Sequence, residues 1–396
     1  MQINNRELFL KHIAQTSPSP MMLEIERAEG VYIYDTAGNK HLDFISGISV
    51  SSVGHAHPNV IKAIEAQIRK YAHIMVYGET IQAPILNYAQ LLTSYLPSNL
   101  NTIYFVNSGS EATEGAMKLA KGYTSRSEII SFENAYHGST QGALSIMGNE
   151  KLKTKYRPLL PDTRVITFNN EAHLSYITEK TAAVFVEPIR AECGIQIPNN
   201  NYLKKLQQRC KDTGTLLVCD EIQTGFGRTG TLFAFEQFDI VPDILLLGKA
   251  MGGGLPIGAF ISDRKIMQTF SENPPLGHMT TFGGNAVSVA SALAVLQTIT
   301  QHRLFERAII IEKILKEQLH HPKIKEVRVK GALCAIEFES TEINMRTIEL
   351  CWKNGLIVDW FLFADNCMRI APPLVISEEE LQRGINIILN ALSNLK

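Results

Sequence analysis

The sequence has no C-x-x-C pair. Its six cysteines, Cys193, Cys210, Cys219, Cys334, Cys351 and Cys367, are scattered singly along 396 residues. Scattered thiols with no apolar leader argue against a disulfide framework and imply a reducing, cytoplasmic setting, with the cysteines as core filler. Lysine and arginine never form a run and the formal net charge is −1, so the basic face that nucleic acid or an anionic membrane requires is missing. Long apolar runs are missing too. The best candidate, ILLLGKAMGGGLPIGAFI, is broken by Lys249, three consecutive glycines and Pro256. The opening MQINNRELFLKHIAQTSPSP carries charges throughout and is expected as an arm or short helix rather than a signal peptide. His55-x-His57 has no further ligands near it in the sequence and is taken as structural, so no metal site is expected.

The chain does contain alternation. VYIYDTAGNKHLDF predicts a hairpin turning at Asp35 to Lys40, and NVIKAIEAQIRKY a helix with Val60, Ile61, Ile64 and Ile68 on one side. Short apolar runs (NTIYFV, EIISFE, TAAVFVEP, TLLVCDE, PDILLLGK) then alternate with amphipathic stretches such as SEATEGAMKLAKGY and NNYLKKLQQRCKDTG. That pattern predicts an α/β fold whose large, mostly parallel central sheet carries helices on both faces. After about residue 290 the pattern changes: IKEVRVKGALCAIEF suggests antiparallel strands and SEEELQRGINIILNALSNL a closing helix. The expected division is residues 1–55 as an N-terminal segment packing with a small domain, 56–290 as the large domain, and 291–396 as the small α+β domain.

Open parallel sheets bind ligands at the carboxyl ends of their strands. The residues just after the apolar runs are Ser108-Gly109-Ser110, Glu133 to Gly138, Glu187, Asp220-Glu221 and Lys249. NSGSEATEG leads from a strand into a helix, with Ser108 and Glu111 spaced as a capping box. It is either a phosphate cradle or an ordinary well-capped helix start. Lys249 is either a desolvated, nucleophilic amine or a lysine snorkelling from a strand end. Asp220 is a buried carboxylate in need of a cation, or a turn cap. Taken together, phosphate cradle, ring-nitrogen acid and Schiff-base lysine specify pyridoxal 5'-phosphate, whose protonated ring is an electron sink. GFGRTG, residues 225–230, fits G-x-G-x-x-G, but DEIQT separates it from its strand, so a dinucleotide site is not expected.

The ordered combination NSGSEATE, AYHG, VEPI, DEIQTGFGRTG, the Lys249 segment, TTFGGN and RIAPPLVI resembles the class III pyridoxal-phosphate aminotransferases, of the fold-type I architecture. The resemblance spans nearly the whole chain. It implies that Lys249 carries the cofactor as a Schiff base and shuttles the proton, that Asp220 pairs with the ring nitrogen, and that Gln223 bonds the ring hydroxyl. Tyr136 would stack on the ring, and Ser108, Gly109 and Ser110 would hold the phosphate. Thr281 would reach the phosphate of a neighbouring subunit, implying a homodimer with shared sites. His137 lines the cofactor as a packed histidine, and Glu221 orients its loop. For substrate, the resemblance implies Arg369 as the carboxylate-binding arginine and Glu192 as its switching partner, with Glu187, Tyr77 and Ser139 nearby.

The implied reaction moves an amino group, the terminal amine of an ornithine-like or acetylornithine-like donor, to 2-oxoglutarate to give glutamate. The alternatives are a 4-aminobutyrate or other ω-amino acid transaminase, or an aminomutase on the same scaffold; Gln223 argues against the last, which usually has methionine there. Three departures stand out. EPIRAECG replaces EPIQGEGG, Ala286 replaces a common proline, and Ser139 stands where acetylornithine-type members often carry arginine. Arg190 is a candidate to supply that missing charge.

Overall fold

The computed structural model describes residues 4–199, 201–272 and 274–395. Three sheets organise it. The large one contains β4 (Thr102–Val106), β5 (Glu128–Phe132), β6 (Thr163–Ile166), β7 (Thr181–Val186), β8 (Leu216–Asp220), β9 (Ile244–Leu247) and β10 (Gly258–Ser262), in the order β4-β10-β9-β8-β7-β5-β6. The pairings β9–β8, β8–β7, β7–β5 and β5–β6 are parallel, and only β10 opposes its two neighbours. Every residue of β7, β8, β9 and β10 is buried. Their continuous apolar runs therefore follow from helices covering both faces, as the sequence predicts.

An N-terminal sheet joins β1 (Ile25–Glu29), β2 (Tyr32–Asp35) and β3 (Lys40–Asp43) to β13 (Leu356–Ile357), which pairs in parallel with β3. The third sheet, β11 (Glu326–Lys330), β12 (Leu333–Glu337), β15 (Ala364–Ile370) and β14 (Asp359–Phe361), is antiparallel throughout. The helix Glu378–Ser393 closes the chain behind a Ser377–Glu380 capping box.

The apolar side of the helix Pro58–Ile68 is only partly covered. Val60 is buried, but Ile61 and Ile68 are exposed in the single chain. Ile74, Met75, Ile81 and Leu86, later in the chain, are exposed as well, and the His73 and Phe282 rings lie 4.9 Å apart, with Met279 and Phe282 also exposed. No helix among the described residues is long and apolar enough to cross a membrane. The described residues also contain no His, Cys, Asp and Glu cluster suited to a metal ion.

Candidate active site

β4, β7, β8 and β9 all deliver their carboxyl ends to one edge of the large sheet. Two close approaches hold that edge together. A Cβ on Gly258 would lie 2.4 Å from the Ser108 carbonyl, and one on Gly109 would lie 2.8 Å from Ile222. β10 and the phosphate-type turn can therefore meet only through glycine. The helix Gly109–Thr124 begins after Ser108, whose Oγ accepts from the Glu111 N–H at 3.2 Å. The expected capping box is only half formed. Glu111 reaches back one residue further, to the Asn107 N–H at 2.8 Å and the Asn107 amide at 2.9 Å. The first N–H groups of the helix, on Gly109 and Ser110, have no intrahelical acceptor and carry the positive end of the helix dipole.

Lys249 opens a short 3-10 turn two residues beyond the end of β9, with φ +46°, a strained backbone for a side-chain-bearing residue. Its Nζ donates to Gln223 Oε1 at 2.7 Å. Burial lowers its pKa from the ordinary lysine range, with Arg369 adding to the shift and Glu192, Asp220 and Glu187 opposing it. A lowered pKa keeps more of the amine in its nucleophilic form.

Asp220 ends β8, the strand beside β9. Its Oδ1 accepts from the Ile222 N–H at 3.0 Å, and its Oδ2 lies 2.7 Å from His137 Nδ1. His137 is thus more than packing: it already partners the buried acid and fixes its direction. Adjacent Glu221 faces the other way. It is fully buried and accepts from Thr224 Oγ1, the Ala234 N–H and the Phe235 N–H at 2.7, 2.9 and 2.7 Å, pinning the loop after β8. The G-x-G-x-x-G stretch lies in this loop as successive turns and opens no α-helix; only the short 3-10 helix Ala234–Phe238 follows it. Its Arg228 is fully buried and donates to Ser52 Oγ at 2.8 Å and to the Pro372 carbonyl.

Several buried polar atoms here have no partner: Gln223 Nε2, His137 Nε2 and Glu187 Oε2. Such orphans are costly unless a ligand satisfies them. A buried acid, an amide with an unpartnered donor, free helix N–H groups and an amine with a lowered pKa make a donor set that fits pyridoxal phosphate. Tyr136 and Ser139 sit on the adjoining loop, with Tyr136 Oη 3.0 Å from Ser139 Oγ and the Ser139 N–H donating to Ser110 Oγ at 3.3 Å. Burial pushes the Glu187 carboxyl well up, and Asp220 adds to the shift.

Arg369 is buried on β15, directly opposite Asp359 of β14. Its Nε and Nη2 hold the two Asp359 oxygens at 2.8 and 2.9 Å, and its Nη1 donates to Glu192 Oε1 at 2.6 Å. The expected Arg369–Glu192 pair is present, but the sequence reading missed Asp359. Burial alone would lower the Arg369 pKa, yet Glu192 and Asp359 together hold it above its usual value. Burial likewise raises the Asp359 carboxyl even beside the guanidinium. Arg190, the candidate for the missing charge, is tied up: it donates to Gln196 Oε1 at 2.9 Å and to the Glu133 carbonyl, and its guanidinium lies 4.8 Å from the centre of the Phe168 ring.

Two expected residues sit apart from this cluster. Tyr77 lines a cleft of about 660 Å³ with Val76, Gly78, Thr280 and Gly283. Thr281 is exposed on the same loop.

The fold and this strand-end edge define a pyridoxal-phosphate enzyme of the aminotransferase type. Residues 13–392 match the profile "Aminotransferase class-III". The chain is 34% identical to an acetylornithine aminotransferase of Methanopyrus kandleri, covering 98% of each chain. It is 36% identical to one from Bacillus anthracis, covering 96% of this chain and 97% of that one. It superposes on the ornithine aminotransferase of Toxoplasma gondii, a structure with pyridoxal phosphate at partial occupancy, with a TM-score of 0.90 and 29% identity over 98% of this chain and 92% of the other. The chain belongs to the class III aminotransferases, and it is a pyridoxal-phosphate-dependent transaminase.

Proposed function

We propose that the enzyme takes the terminal amine of an ornithine-like or acetylornithine-like donor and passes the amino group to 2-oxoglutarate, releasing glutamate. The observation that carries this reading is the pairing of Lys249 and Asp220 at the ends of adjacent strands, the amine with a lowered pKa and the acid held by His137. The names of the full-length relatives support the choice of donor.

When bound, pyridoxal phosphate supplies the electron sink that makes a proton on the donor carbon acidic. In this reading Asp220, aimed by its contact with His137, holds the proton on the ring nitrogen. The Gln223 amide, with its free Nε2, donates to the ring hydroxyl. Lys249 Nζ moves the proton off the donor carbon, a task suited to an amine whose pKa lies closer to neutrality. Ser108, Gly109 and Ser110 grip the phosphate at the helix start, and Tyr136 covers the ring. Arg369 takes the acceptor's carboxylate when Glu192 swings away. Glu187, Tyr77 and Ser139 line the donor's path.

The exposed apolar stretch over Ile61, Ile68, Ile74, Ile81 and Phe282 supports a homodimer, with Thr281 completing the neighbour's phosphate site. A large domain from about 56 to 290, a small one beyond it, and a cytoplasmic location belong to the same reading. The test is a donor panel, ornithine, acetylornithine and 4-aminobutyrate, followed by cofactor absorbance in single half-reactions and by glutamate release. Ornithine or acetylornithine is expected to shift the spectrum. A spectrum moved by 4-aminobutyrate alone would overturn the donor assignment.

A further inference from the structure

Asp359 is not needed for the arginine to be paired, because Glu192 already neutralises it. Yet the guanidinium's broad Nε/Nη2 edge, the face that could grip a carboxylate bidentately, is given to Asp359 in the closed structure. The same Nη2 also donates to the Trp360 carbonyl at 3.1 Å. Only the Nη1 corner faces Glu192. Glu192 has its own second tie, since its Oε2 accepts from the Leu362 N–H at 3.2 Å and its carbonyl accepts from the Phe363 N–H at 3.0 Å. Glu192 is therefore anchored to the same β14–β15 hairpin that carries Asp359.

The register explains the Asp359 contact. Asp359 and Arg369 are direct cross-strand partners, so their side chains share one face of an antiparallel pair. Releasing Glu192 frees one corner of the guanidinium, but the β-sheet itself holds Asp359 in place. The other nearby arginine, Arg190, turns both terminal nitrogens to neutral acceptors, Gln196 Oε1 and the Glu133 carbonyl, and makes no hydrogen bond to Asp359 or Glu192. Within hydrogen-bond reach of the Arg369 guanidinium there are thus two carboxylates, Asp359 and Glu192.

We propose that Asp359 is a specificity-determining residue: it weakens capture of a substrate carboxylate by Arg369 and favours donors whose far end is an ammonium group. This rests on the transaminase reading of the site above and, of its two donor types, favours the ornithine-like one, because acetylation removes the far ammonium. A carboxylate arriving at Arg369 meets a half-occupied fork and a second negative charge. An ammonium arriving there meets an excess of carboxylate.

The experiment uses the holoenzyme, its Asp359→Asn and Asp359→Ala variants, and two readouts. The first is equilibrium binding of glutarate, an unreactive dicarboxylate, by calorimetry. The second is the ratio of kcat/KM for 1,4-diaminobutane to that for 4-aminobutanoate, a pair of equal carbon count differing in the charge of the far end. Both variants are expected to bind glutarate about tenfold more tightly and to lower the ratio by about tenfold. Thermal melting checks that each variant is folded, and the alanine form serves if the asparagine form is not. Unchanged or weaker glutarate binding in a folded variant overturns the proposal. Failure of every amine to react would sink the donor reading alone, because glutarate binding still reports on Asp359.

Discussion

The two ends of the site are built on opposite principles. At the inner end, around Lys249, Asp220 and Gln223, buried polar atoms are left open: Gln223 Nε2, His137 Nε2 and Glu187 Oε2 have no partner. At the outer end, Arg369 binds through all three nitrogens, to Asp359, Glu192 and the Trp360 carbonyl. An open group binds by filling a vacancy. A saturated group binds only by exchanging one partner for another, so its affinity is a difference between two competing contacts. The inner end is therefore suited to a resident cofactor, and the outer end to substrates that come and go.

The largest effect expected at the inner end comes from Lys249→Ala. With the roles proposed for Lys249, as nucleophile and proton carrier, the loss should lower turnover by roughly 10³-fold or more. The fold should survive, because the change removes a partly buried amine whose charge burial disfavours. Glutamate release together with a melting curve checks both parts. A variant that is folded and still turns over at wild-type rate would remove Lys249 from the reaction and erase the distinction between the two ends.

A second test asks whether the inner end is waiting for a ligand cation. His137→Ala leaves Asp220 buried with only the Ile222 N–H. The cost in stability should be about 1–3 kcal/mol in the cofactor-free protein. Saturating pyridoxal phosphate should recover a good part of the loss, since a protonated ring nitrogen offers the acid a new partner. Melting temperatures with and without cofactor measure this. An equal loss in both states would mean that Asp220 is not opposite the ring nitrogen.

How much of this was legible in the sequence differs between the ends in the same way. Continuous apolar strands predicted the large sheet, and the residues following them predicted the inner site, because strand ends are local in sequence. Lys249, Asp220 and Ser108 could be found by counting a few positions past an apolar run. The Asp220–His137 contact joins residues 83 apart. It could not be seen, although His137 itself lay in a conspicuous AYHG turn. Asp359 was missed because its meaning depends on the register of a hairpin, and DWFLFADNCMR contains an irregularity between Trp360 and Phe361 that hides simple alternation. The apolar side of the helix Pro58–Ile68 was legible, but not what it faces. Periodicity identifies an apolar stripe, but it does not say whether the stripe meets the same chain or another surface.

The smallest expected effect concerns the two adjacent acids and sharpens the comparison within a single loop. Asp220 turns toward His137, and Glu221 turns away to the Thr224 hydroxyl and the N–H groups of Ala234 and Phe235. Burial pushes the Glu221 carboxyl up to about 7 despite three donors that pull it down. With its folded pKa above its unfolded value, the native state holds more protons between about pH 4.5 and 7. Its contribution to stability is then full below that window and is lost as pH rises through it, by roughly 3 kcal/mol at most. Glu221→Gln cannot titrate and presents its N–H₂ to a donor that the carboxylate accepted, so the variant should melt a few degrees lower at pH 5. The gap between wild type and variant should narrow as pH rises to 8, because only the wild type loses its bound proton. A gap that stays constant or widens with pH would show that Glu221 is already ionised at pH 5, and that the donors of Thr224, Ala234 and Phe235 outweigh its burial.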